Sequence, residues 1–202
     1  MFYGCTNLVN VPELPATTLP ESCYCEMFYG CTSLVNAPEL PATTLSFSCY
    51  DSMFRGCTSL VNAPELPATT LYEYCYSRMF QSCTSLVNAP ELAVITLSPG
   101  CYSYMFLGCT SLINAPELPA TTLSIECYFS MFSGCVNLNY IKAMFITTQD
   151  NYTDNWVGGV ALRGTFVKLT GIQFEDGIIP KGWTVQEIDP DTGEIVNEYI
   201  NE

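Results

Sequence analysis

With 202 residues and a net charge of −14 from 20 acids against 6 bases, the chain is long enough for a sizeable core. It is too acidic to suit nucleic acid or an anionic membrane surface. Histidine is absent, which removes the commonest general base and the commonest metal ligand together. No apolar run approaches the ~18 residues that a membrane-crossing helix needs, so no membrane insertion is expected.

One 26-residue unit dominates the chain. MFYGCTNLVNVPELPATTL starts at Met1, near-copies start at Met27, Met53, Met79 and Met105, and a sixth start, MFSGCVNL at Met131, runs into different sequence. Fixed-period similarity of this length predicts stacked coils, none of which can bury its apolar face alone. No basic stretch followed by an apolar one marks a signal peptide, and Met1 holds the unit's own Met position. The chain therefore reads as a fragment or as an array without an N-terminal cap. An uncapped first coil would expose the edge of a parallel stack, so either upstream repeats or an end-to-end homodimer through the N-terminal edge is expected to cover it.

Within the second copy, Gly30, Cys31 and Thr32 predict a turn. Leu34, Ala37 and Leu40 then recur through a short extended segment, in which Pro38 and Pro41 forbid a helix and shorten any strand. Thr43 and Thr44 suit extended structure, and Ser46 is placed to cap the segment after it. Cys49 with Met53 and Tyr50 with Phe54 are i,i+4 pairs, which predict a short helix over 47–54. Each coil thus reads as turn, short strand, corner and short helix, with strands stacked in parallel on one side and helices on the other.

Stacking turns single residues into columns. Cys5, Cys31, Cys57, Cys83, Cys109 and Cys135 share one position, and Cys23, Cys49, Cys75, Cys101 and Cys127 share another. They are read as reduced, buried packing residues, because neighbours in a ladder point in parallel and no C-x2-C pairs exist for a metal. Cys25 falls outside both columns, at the position of Asp51, Ser77, Ser103 and Phe129, and reads as an outward thiol able to form an intermolecular disulfide. Glu13, Glu39, Glu65, Glu91 and Glu117 form a column of carboxylates, the candidate binding face. Neighbours ~5 Å apart repel by roughly 0.8 kcal/mol at water's dielectric, so the column should attract cations. An asparagine column from Asn10 to Asn114 is expected to satisfy backbone groups at the corner between coils. Variation between copies concentrates on the side predicted to be helical, whereas VNAPELPATT is nearly constant and is broken only at Ala93-Val94-Ile95.

The F-x-G-C-T-S-L-x-N-A-P-E-L-P unit resembles the BspA-like leucine-rich repeat, usually aFxgCxsLxxixiP, over residues 1–141. The unit here is longer and carries an extra proline. Residues 155–169 (NWVGGVALRGTFVKL) and 179–186 (IPKGWTVQ) also resemble the terminal segment of such bacterial proteins. The resemblance implies an α/β leucine-rich-repeat solenoid, short parallel strands on one face and short helices on the other, spanning 1–141. It further implies a cell-surface or secreted protein that contacts host or matrix proteins, glycans or other cells.

Beyond Asn139 the rhythm stops. Strands are predicted at 140–147, 164–169 and 183–188, a short helix at 152–160, and a hairpin turn at 189–195, so 142–202 reads as a small β-rich capping segment with an acidic tail. No nucleophile elbow, phosphate loop or unique acid pair is present; a non-enzymatic interaction module without cofactor or metal is expected, with a structural spacer as the rival.

Overall fold

The computed structural model describes residues 1–147 and 151–202. No helix occurs among them, which overturns the α/β leucine-rich-repeat solenoid with a helical face. The coils do stack, but the segment predicted to be helical is a ribbon of consecutive tight turns. In the third coil the amides of Cys75, Ser77, Met79, Gln81 and Cys83 each donate to the carbonyl three residues back, at 3.0–3.3 Å. The amides between them, on Tyr74, Tyr76, Arg78, Phe80 and Ser82, donate to carbonyls of the next coil at 2.7–3.1 Å. A helix would direct both sets inward along its own axis. Here every second N–H ties one coil to the next.

The physical reason for the difference is a period of four. Every fourth residue of the ribbon is left-handed: Ser48, Ser52 and Gly56 in the second coil, and Gly100, Tyr104 and Gly108 in the fourth. A left-handed residue ends the right-handed run before a helical turn can propagate. Apolar residues then recur at strict i,i+4 spacing, so Cys49, Tyr50, Met53, Phe54 and Cys57 are all at most 1% exposed. Pairs at i,i+4 alone do not distinguish that period from 3.6.

The parallel strands predicted on the other side are also reduced in the repeats. Single-residue parallel bridges join Asn36 to Asn62, Asn62 to Asn88, Thr18 to Thr44 and Thr44 to Thr70. Prolines on both sides of each P-E-L-P segment lack the N–H that a continuous ladder requires. In the sixth coil, Lys142 and Phe145 take the two proline positions, and a strand forms. This strand, β1 (Tyr140–Lys142), pairs in parallel with β2 (Thr165–Leu169), and β2 pairs in parallel with β3 (Thr184–Ile188). β4 (Ile195–Ile200) returns antiparallel and closes the four-stranded sheet in the order β1-β2-β3-β4.

Aromatic ladders fill the core. Phe2, Phe28, Phe54, Phe80, Phe106 and Phe132 stack with centroids 5.6–5.8 Å apart. Tyr24, Tyr50, Tyr76, Tyr102 and Tyr128 stack at 5.7–6.2 Å. Residues 151–159 extend the turn ribbon, since Phe132 N–H donates to the Trp156 carbonyl and Gly134 N–H to that of Gly158. No helix is present at 152–160. Trp156, fully buried, covers the ends of both ladders, lying 6.1 Å from Phe132 and 6.4 Å from Tyr128. Its indole N–H donates to the Ile178 carbonyl at 3.0 Å, and that of Trp183 donates to Ala161 at 2.8 Å.

Candidate binding surfaces

The core architecture turns two faces outward. On the P-E-L-P face, Val35, Val61, Val87 and Ile113 are 36–45% exposed, and all five asparagines of the column are exposed beside them. Asn88 donates its side-chain amide to Asn62 Oδ1 at 2.7 Å, a surface bond between neighbouring coils. Glu13, Glu39, Glu65, Glu91 and Glu117 are all exposed on the same face. Glu117 pairs with Lys142 at 3.0 Å, and no ion pair engages the other four among the described residues.

Two hollows interrupt this face. One of about 620 Å³ lies between 63–69 of the third coil and 89–96 of the fourth, with Glu65, Glu91 and Ile95 in its lining. A second, of about 420 Å³, continues from Pro90 and Ala93 to Pro116 and Pro119 of the fifth coil. Both touch Ala93, where every other full copy has proline (Pro15, Pro41, Pro67, Pro119).

The turn ribbon carries a different site. A cleft of about 410 Å³ is lined by Asp51, Tyr74, Arg78, Tyr104, Glu126 and Phe129, together with Ser48 and Ser103. The Arg78 guanidinium lies 4.9 Å over the Tyr104 ring, donates to Ser77 Oγ at 3.1 Å and stands 3.8 Å from Asp51 Oδ1. Phe129 meets Tyr104 edge-on at 5.1 Å, and Tyr74 meets Phe47 edge-on at 6.0 Å. Tyr74, Arg78 and Tyr104 all sit at left-handed positions, with φ of 57°, 54° and 57°. Equivalent positions hold Ser22, Ser48, Gly100 and Glu126 for Tyr74, and Glu26, Ser52 and Ser130 for Arg78 and Tyr104. Any residue other than glycine is costly in this conformation, by about 1–3 kcal/mol each. The Tyr74 ring leans onto the next coil, where a Cβ on Gly100 would collide with it. Burial pushes the Asp51 carboxyl up, against the downward pull of Arg78 and of the Ser52 and Ser77 hydroxyls.

All twelve cysteines are free thiols, and nine are buried. Cys25 is half-buried, and its thiol is pushed up by burial and by the neighbouring charges of Asp51 and Glu26. Cys5 is the exposed one and Cys23 is half-buried, since the first coil has a neighbour on one side. The sequence marks Cys25 by its break from the columns, whereas the exposure of Cys5 and Cys23 depends on which coil they occupy. The buried thiols have a role that the spacing does not show. Cys57, Cys83, Cys109 and Cys135 each place Sγ 3.0–3.1 Å from the phenylalanine carbonyl of the coil before, on Phe28, Phe54, Phe80 and Phe106.

At the C-terminal end, Trp156 is sealed in the core while Asp154 and Arg163 are exposed. The 189–195 turn folds on Asp189, whose carboxylate accepts the amides of Asp191 and Thr192 at 2.9 Å and is thereby held below its usual range. No helix among the described residues is long and apolar enough to cross a membrane. In comparison with known proteins, no family model, no curated relative and no solved structure matches this chain.

Proposed function

We propose that the chain is a non-enzymatic protein-interaction or adhesion module, similar in role to BspA-like proteins of bacterial cell surfaces. Its recognition surface is the turn face. The observation that carries this reading is the gathering of Tyr74, Arg78, Tyr104 and Phe129 around one cleft, an aromatic and cationic cluster that the equivalent positions of the other coils do not repeat. Tyrosine and arginine dominate the energetics of protein interfaces, where they supply large contact area together with hydrogen-bond donors.

The test uses the repeat itself. Arg78→Ser with Tyr104→Ser copies the second and fifth coils, so the stack should be kept. Wild type should capture ligands on matrix-protein and glycan arrays, and the double variant should lose them while melting within a few degrees of wild type. Blank arrays for wild type would favour the structural spacer. A second reading, end-to-end pairing, is favoured by the first coil. Cys5 is exposed and Phe2 and Leu8 are only half-buried there, while Phe28, Cys31 and Leu34 are fully buried. A second copy or a further coil would cover them equally, and sedimentation across a concentration series checks the first.

A further inference from the structure

The groove on the P-E-L-P face lies where the repeat is broken. Proline is replaced by Ala93, and the following Ala-Thr by Val94-Ile95. Loss of the pyrrolidine ring opens the space between the third and fourth coils, Val94 (7% exposed) turns inward, and Ile95 stands 66% exposed at the edge. The rim is acidic: Glu65 and Glu91 are exposed without a cation partner among the described residues. One coil further, the chain's own Lys142 sits 3.0 Å from Glu117 Oε1 and shows how the column receives an ammonium group. The net charge of −14 adds a long-range field of the same sign.

We infer that this groove binds a basic, extended segment of a partner protein, in which lysine or arginine alternates with aliphatic residues. Charge complementarity selects the basic side chains, and the aliphatic ones cover Ile95 and the proline walls. From the third coil to the fifth the groove runs ~10 Å, which about three residues of extended chain span. Neighbouring carboxylates in the column repel one another, and a lysine between two of them relieves both at once.

The test uses the full chain and a fluorescein-labelled Lys-Leu-Lys-Leu-Lys peptide, read by fluorescence polarisation. Saturable binding is expected, weakening as salt is raised. The triple variant Ala93→Pro, Val94→Ala, Ile95→Thr restores the regular repeat and keeps all five glutamates; it should bind at least about tenfold more weakly, a loss of about 1.4 kcal/mol. Glu65→Gln with Glu91→Gln, both surface positions, should lose a comparable factor without dependence on refolding the loop. Glu13→Gln with Glu39→Gln, and Arg78→Ser with Tyr104→Ser on the turn face, should stay within about twofold. A pentalysine peptide should bind at least about tenfold more weakly than the mixed one. Undiminished binding by the regularised loop, equal loss from Glu13 and Glu39, absence of saturable binding, or preference for a neutral glycan oligomer would each overturn the inference.

Discussion

Cys57, Cys83, Cys109 and Cys135 are fully buried thiols, and each donates a hydrogen bond to a carbonyl of the preceding coil. Burial pushes Cys57 and Cys135 up to about 12, and Cys83 and Cys109 well above the ordinary 9.0. These thiols stay protonated when folded but ionise in the unfolded chain above pH 9.0, so they favour folding below that pH. That contribution is lost as pH rises from 9.0 through about 12. Chemical denaturation should accordingly give a falling midpoint across this range. Maleimide labelling of the native protein at pH 8 should reach Cys5, Cys23 and Cys25 and spare the nine buried positions; rapid labelling of Cys83 would contradict the packing. The Lys168–Glu187 pair bridges β2 and β3 with the Lys168 side chain 1% exposed and the carboxyl held below its usual range, first by the lysine hydrogen bond. Glu187→Gln leaves that buried ammonium without a counter-ion, bonded to the Ile172 carbonyl, and should cost about 3–5 kcal/mol in urea unfolding. Because the folded value is depressed, the pair stabilises above the unfolded carboxyl value of 4.5 and weakens as pH falls below it.

The turn ribbon explains which parts of the molecule are legible in its sequence. The 26-residue period locates every coil, and the Phe, Tyr and Cys columns all lie in the core over most of their length. The hairpin at 189–195 is readable too, because Asp and Gly sit where a tight turn needs them. Residues 47–54 read as helix because Cys49 with Met53 and Tyr50 with Phe54 satisfy both periods. Ser48, Ser52 and Gly56, or Gly100 and Gly108 in the fourth coil, are the available signal for four. The Arg78 cleft is beyond reach, since its lining residues come from four coils and meet only once the ribbon's left-handed positions are known. Substitution at Ser52 distinguishes the two conformations. In a helix alanine is favoured over glycine by about 1 kcal/mol. At φ 56° the order should reverse, with Ser52→Gly at least as stable as wild type and Ser52→Ala about 1 kcal/mol worse.

At the scale of the whole molecule, repetition carries the stability, and the proposed recognition sites are its exceptions. Hydrogen-bonded ribbons and stacked rings couple each coil chiefly to its neighbours, as in other repeat architectures. Trp156 and the four-stranded sheet close one end, so removal of residues 143–202 should uncover Phe132 and Tyr128 and yield aggregated protein in light scattering. The departures from the repeat, Arg78 and Tyr104 on the turn face and Ala93 to Ile95 on the other, should be dispensable to the stack. The most direct measurement therefore compares wild type with a chain regularised at all five positions: Arg78→Ser, Tyr104→Ser, Ala93→Pro, Val94→Ala and Ile95→Thr. The regularised protein should fold with a melting temperature at or above wild type and bind none of the ligands that wild type captures. Retained binding by the regularised stack would contradict the assignment of recognition to these sites.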